Sequence, residues 1–216
     1  MTWLVPTPEI VRSLRLRDGP NFLIPEDYLA NLLIDEGGNI HFPIYSIDGT
    51  QIGWNSRSAT QKMWSQTLSY DAAPRFTSWT SNIAQIIYDS RCICLAESGY
   101  DALSLAPVVP WVISTNTARV QKEILEWIKD WKLHVFTAFD IDKEAQGTGQ
   151  NSTQEISREL REFNCMVDRI QWPSVAQPPF GYGTHIKDPA QAYALMGRYF
   201  QELVKSQVHA ICSVIH

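Results

Sequence analysis

Two aspartates close a run of apolar residues in "VFTAFDIDKEAQG", residues 135–147. Val135 to Phe139 read as a buried strand, and Asp140 and Asp142 stand at its exit with one residue between them. Carboxylates held that close repel each other unless a cation lies between them. Two further places offer similar groups: Glu97 and Asp101 in "LAESGYDALSLA", and Lys187 with Asp188 in "THIKDPAQAY". Mg²⁺ or Mn²⁺ prefers hard oxygen ligands and takes one or two carboxylates together with substrate phosphates. A pair of such ions can clamp the attacking and leaving oxygens of a phosphoryl transfer. Glu97, Asp101, Asp140, Asp142 and Asp188 are therefore the candidate metal ligands. Asp101 and Asp188 also suit the first turn of a helix, Asp188 especially because Pro189 follows it.

These residues meet only if the chain brings their loops to one edge. From about residue 90 apolar strands alternate with amphipathic helices: "CICLA", "GYDALSLA", "VVPWVIS", "TARVQKEILEWIKDWK", "LHVFTAF", "NSTQEISRELREFN", "CMVDRIQW" and "DPAQAYALMGRYFQELVKSQ". Val120, Ile124, Leu125, Ile128 and Trp131 keep helical spacing. Such alternation predicts an α/β fold, a mostly parallel sheet flanked by helices. Its site lies at the carboxyl ends of the strands, where the acidic residues fall; Gly99 would allow a tight turn after Glu97.

Residues 1–89 have a different texture and predict a small α+β subdomain ahead of a second domain at 90–216. "HFPIYSIDGTQIGWN" reads as a hairpin around Asp48-Gly49. "KMWSQTL" and "PRFTSW" read as short strands, and residues 9 to 35 as one or two short helices with Pro-Glu starts.

Composition narrows the function. The 216 residues are 44% hydrophobic and 19% charged, which fits a globular chain rather than a disordered one. No apolar run approaches a membrane span and the N-terminus lacks a signal-peptide layout, so a cytoplasmic protein with no membrane partner is expected. Cys92, Cys94, Cys165 and Cys212 show neither C-x-x-C nor zinc spacing and read as reduced thiols. The net charge of −5 argues against tight, unassisted binding to a phosphate backbone but not against an enzyme that meets phosphates through metal ions. Trp54, Trp64 and Trp79 are candidates for stacking on bases; Trp127 and Trp131 share a helix face and read as core. His41, His134 and His185 read as packed or solvated histidines.

With Glu97 after one strand and Asp140-x-Asp142 after a later one, the chain from about residue 90 to 205 resembles a TOPRIM domain, the metal-binding module of DnaG-type primases, topoisomerases and certain nucleases. Glu97-Ser98-Gly99-Tyr100-Asp101 is similar to the primases' Glu-Gly-Tyr-x-Asp stretch, and Lys187-Asp188-Pro189 to their Lys-Asp-Pro. Phe42, Pro43, Ile44, Gly49, Gly53 and Arg57 match their "FPI…G…GF…R" segment, and Pro74-Arg75-Phe76-Thr77-Ser78 loosely matches Pro-Lys-Tyr-x-Asn. The chain departs from that pattern at Ser98 and Ile141, where the family has Gly, at Arg75, where it has Lys, and in a longer loop after Asp142.

The resemblance implies a nucleotidyltransferase that makes short primers on single-stranded DNA from nucleoside triphosphates. Glu97, Asp140 and Asp142 would be catalytic, and Arg57, Arg75 and Lys187 would face the nucleotide or nucleic acid. A zinc ribbon and a helicase-binding domain have no counterpart in these residues. A reduced core of the kind carried by phages, plasmids and other mobile elements is therefore expected, with a helicase or a separate zinc-ribbon subunit as possible partners. Three other readings stay open: a TOPRIM nuclease, a catalytically silent module that binds nucleic acid or a partner, and one subunit of a split primase.

Overall fold

A computed structural model describes residues 3–4, 30–58, 64–69, 73–117, 119–141, 148–180 and 183–213. The hairpin forms as read: β3 (Ile40–Ser46) and β4 (Gln51–Arg57) pair antiparallel. Their turn is built by Asp48, whose carboxylate accepts from Ser46 Oγ at 2.5 Å and from the Thr50 N–H at 3.0 Å. Gly49 takes φ of +82°, and a Cβ there would lie 2.4 Å from the Ser81 carbonyl, so only glycine fits. β5 (Trp64–Leu68) extends the sheet beyond β4, and β6 (Arg75–Thr77) pairs with the Ile44–Ser46 end of β3.

Residues 33 to 35 correct the expectation of helix. Leu33–Asp35 is strand β2, antiparallel to β1 (Trp3–Leu4) and to the start of β3. The reason is a local turn. The Asp35 carboxylate accepts from the Gly37 and Asn39 N–H groups and from Asn39 Nδ2, all within 3.0 Å, and folds the chain back into β3. Residues 5–29, which held most of the expected helices, lie outside the described residues. Helix α1 (Ile83–Ser90), which the sequence reading did not assign, buries Ile83 and Ile87.

The second half follows the rhythm read from the sequence: β7 (Cys92–Ala96), α2 (Gly99–Leu105), β8 (Val112–Ser114), α3 (Lys122–Trp131), β9 (His134–Ala138), α4 (Thr148–Arg161) and β10 (Val167–Arg169). Its last helix is two, α5 (Pro189–Met196) and α6 (Arg198–Cys212), because Gly197 turns to φ of +56° between them. Strands β8, β7, β9 and β10 lie parallel in that order, and β7 and β9 are wholly buried. The whole sheet, however, is mixed rather than mostly parallel. Its β1–β6 strands pair antiparallel, and β6 joins the parallel set through Thr77 opposite Ser114 on β8. No described helix is long and apolar enough to cross a membrane.

Packing reinforces that narrow seam. Phe76 of β6 stacks on Trp127 of α3 with centroids 5.8 Å apart, and Trp127 meets Trp131 edge-on at 5.3 Å. Phe42 of β3 meets Tyr100 of α2 edge-on at 5.0 Å. Gly99, the first residue of α2, lies directly beneath the Phe42 ring, and a Cβ there would stand 2.6 Å from it. The glycine therefore serves a close approach, not the tight turn expected after Glu97. Gly99→Ala should lower stability by about 1–3 kcal/mol, the cost of overpacking a filled core. Urea unfolding should show this as a lower midpoint with an unchanged slope, and Phe42→Leu should recover part of the loss.

Candidate active site at the carboxyl ends of β7 and β9

Ala96 and Ala138 are opposite each other, so Glu97 and Phe139 leave the sheet side by side, with Asp140 next. Glu97 is half-buried, and its carbonyl accepts from Ser114 Oγ at 3.2 Å. Asp140 is 7% exposed and its Oδ2 is in ion-pair contact with Lys187 Nζ. The backbones are tied as well: the Ile141 N–H donates to the Lys187 carbonyl at 2.6 Å. Ile141, which stands where the primase pattern has glycine, packs its side chain against the core. Asp142 lies outside the described residues.

Asp101 is buried, 3% exposed, in the first turn of α2. Its Oδ2 accepts from the Ser98 N–H at 3.1 Å and from Ser98 Oγ at 2.5 Å; Oδ1 accepts from the Ala190 N–H at 3.1 Å. Ser98 returns a bond to the Asp101 N–H and caps α2 from an extended backbone that any residue can adopt. A serine in the glycine position is thus a helix cap. Asp188 caps α5 in turn, accepting from the Gln191 N–H at 2.7 Å, while Gln191 Oε1 accepts from the Lys187 N–H at 2.8 Å.

Charge sets the chemistry of this corner. Burial, then the charges of Asp188 and Asp140, push the Asp101 carboxyl well above its ordinary range against the pull of its hydrogen bonds. Partial burial alone would lower the Lys187 ammonium. The Asp140 hydrogen bond and charge, backed by Glu97 and Asp188, outweigh it and hold that pKa above normal. The structure thus brings Asp101, Asp140, Asp188 and Lys187 into one electrostatic cluster with Glu97 on its rim.

Among the described residues no group of three or more His, Cys, Asp or Glu side chains converges as a ready-made metal cage. The donor set nonetheless suits a hard divalent cation. Asp140 and Glu97 offer carboxylate oxygens from adjacent strand ends, which is as many as Mg²⁺ commonly takes from protein. Asp140 already binds a cationic group, the Lys187 ammonium.

The two arginines lie elsewhere. Arg75, at the start of β6, lines a cleft of about 590 Å³ with Asn55, Gln66, Asn116, Thr117, Gln121 and Glu123. Arg57 ends β4, two residues beyond Asn55 and so on the same strand face. The loop after β8 connects the cleft to the acidic corner. Ser114 Oγ donates to the Glu97 carbonyl, and Asn116, held at φ of +61°, accepts through Oδ1 from Asn55 Nδ2, Thr77 Oγ1 and Ser114 Oγ.

Sequence reading missed Asn116. It also missed Arg169, whose Nη2 donates to the Phe139 carbonyl at 3.1 Å and the Asp140 carbonyl at 3.4 Å. A cation at the exit of the last parallel strand was the available signal for Arg169. Asn116 carried none beyond its preference for turns. Trp79 packs against the core and donates to the Pro110 carbonyl at 2.9 Å, and the Trp64 side chain is not described. His41 is packed between Asp35 and Ser56, and His134 against Asp168.

Solved structures similar to this chain include primase catalytic cores. The zinc-binding and RNA polymerase domains of the Aquifex aeolicus primase align over 94% of this chain and 50% of that one, with 18% identity and a TM-score of 0.57. The RNA polymerase domain of the Mycobacterium tuberculosis primase DnaG aligns over 80% and 56%, with 14% identity and a TM-score of 0.56. A structure of the DnaG catalytic core aligns over 78% and 52%, with 14% identity and a TM-score of 0.54. The chain spans about half the length of these proteins. No family model matches it, and no curated protein matches it in sequence. The likeness establishes a primase-like fold.

Two stability measurements test the electrostatic account. A carboxyl whose pKa the fold raises contributes its stabilisation fully below its unfolded pKa of about 4, and that contribution is lost as pH rises through the folded value. Asp101→Asn, which cannot ionise, should therefore gain on the parent protein as pH rises above about 4, seen as converging or crossing unfolding midpoints. Lys187→Met leaves Asp140 buried among like charges. It should cost about 1–3 kcal/mol in chelator, less than a fully buried pair because the Lys187 side chain is 42% exposed.

Proposed function

We propose that this chain is the catalytic core of a primer-synthesising nucleotidyltransferase, with a TOPRIM domain over residues 90–216 and a template- and nucleotide-facing subdomain over 1–89. The observation that carries the reading is the placement of Glu97 and Asp140 at adjacent strand ends, with Lys187 on Asp140, within a primase-like fold. The substrates would be nucleoside triphosphates and single-stranded DNA. A reduced core of the type found in mobile elements, working with a helicase or a separate zinc-ribbon subunit, fits this reading.

Glu97 and Asp140, with Asp142, would hold Mg²⁺ or Mn²⁺, and Asp101 and Asp188 would shape the site behind them. When bound, the metal supplies charge neutralisation for the nucleotide phosphates and lowers the pKa of the attacking 3′-hydroxyl. The protein's own part is positional. Glu97 accepts the hydroxyl's proton or orients the hydroxyl, and Lys187, released from Asp140, places its ammonium on phosphate oxygens. Arg75 and Arg57 offset backbone charge along the cleft, which an acidic chain must do locally. The Ser98–Asp101–Ala190 bonds lock α2 to α5 and so hold Glu97 and Lys187 at a fixed separation.

A second reading draws on one observation: Lys187 already neutralises Asp140. A catalytically silent core that binds nucleic acid, or a subunit of a split primase, would keep this pair closed. Primer synthesis on single-stranded DNA with labelled nucleotides and Mg²⁺ or Mn²⁺ separates these readings. Short labelled products should form, and Asp140→Asn or Glu97→Gln should reduce them roughly 100-fold or more while the protein stays folded. Binding without product supports the silent core, and a degraded template identifies a nuclease.

A further inference from the structure

Gln121 has no role in the acidic corner. It sits just before α3, and its side-chain amide bonds both peptide groups of one residue. The Arg75 N–H donates to Gln121 Oε1 at 3.3 Å, and Gln121 Nε2 donates to the Arg75 carbonyl at 2.8 Å. This reciprocal pair reproduces the rung of a β-ladder, and its place in the sheet explains why. β6 is paired along its full length with β3, but toward β8 the only rung among the described residues is Thr77 opposite Ser114. At Arg75 the strand beyond is missing, and the Gln121 amide takes its place. A backbone that would otherwise be a free sheet edge is fixed from both sides.

Arg75 and Gln121 line the same 590 Å³ cleft, together with amide and hydroxyl groups from Asn55, Gln66, Asn116 and Thr117 and one carboxylate, Glu123, so Arg75 is the cationic group that a phosphate entering the cleft would meet. We propose that Gln121 is a positioning residue: by clamping the Arg75 peptide it aims the guanidinium into the cleft, at a backbone phosphate of a single-stranded polynucleotide. The inference rests on the proposed reading that Arg75 meets nucleic acid. Without the clamp, the end of β6 can rotate about its φ and ψ and the guanidinium no longer reaches a fixed phosphate.

The test uses the 216-residue chain and a fluorescein-labelled oligodeoxythymidine, with anisotropy titrations over a series of salt concentrations. Each phosphate contact on a single strand adds about 0.7 to the slope of log affinity against log salt. Arg75→Ala should lower that slope by about 0.7. Gln121→Leu should lower it by the same amount, and the double variant no further, because the two changes remove one contact. Unfolding midpoints measured alongside separate the roles, since a merely structural bond lowers the midpoint and leaves the slope alone. Gln121→Met, unbranched and of equal length, gives the same comparison if the leucine variant does not fold.

A reduced slope for Arg75→Ala with a parental slope for Gln121→Leu and Gln121→Met overturns the role of Gln121 and leaves the reading of Arg75 standing. A parental slope for Arg75→Ala overturns both. Additive losses in the double variant also overturn the clamp, because they would make Gln121 an independent contact.

Discussion

Like charges gathered at one edge of a sheet repel, and the corner beyond β7 and β9 is arranged around that repulsion. Lys187 meets Asp140, the backbone of α5 and the cap of α2 hold Asp101, and Asp188 turns its carboxylate to the start of a helix. Each solution uses a different physical resource: a counter-charge, peptide dipoles and a helix terminus. Only the first neutralises a carboxylate with a mobile side chain. Asp140 is therefore a carboxylate whose counter-charge could be exchanged for another cation, which is what the proposed metal-dependent reaction would ask of it.

Under the proposed reading, the same arrangement separates residues that would meet substrate from residues that hold them in place. Asp101 is the most buried acid of the group, and both its oxygens are engaged by Ser98 and Ala190. Its carboxyl works as a bolt between α2 and α5. Arg169 serves the neighbouring strand in a similar way, donating to the carbonyls of Phe139 and Asp140 where β9 ends. The geometry of the corner depends as much on these fixed groups as on the carboxylates themselves.

Much of this was legible in the sequence because it was periodic or local. The alternation of apolar strands and amphipathic helices gave β7 to β10 and their helices, and Asp48-Gly49 gave the hairpin. The dual reading of Asp101 and Asp188 as helix-start residues is matched by their caps. What stayed hidden is non-local. Leu33 and Ile34 look helical until Asp35 folds the chain into a turn, and α1 is too short to declare a period. The union of the two halves draws on long-range contacts such as the ladder rung at Thr77, Phe76 against Trp127 and Phe42 against Gly99. No pattern in a single segment encodes any of those. Gln121 likewise means nothing until Arg75 is seen 46 positions away in sequence and at hydrogen-bond distance in space.

The Phe42–Gly99 contact also bears on how such a protein can change over generations. Gly99 stands two residues after Glu97, so the ring of a strand in the first half rests on the loop that aims a carboxylate in the second. A recombination event that exchanged one half alone would set a foreign side chain on that glycine and shift the acidic corner with it. The hairpin and the corner are thus packed as one unit, and an exchange that takes β3 and α2 from the same parent keeps this contact intact.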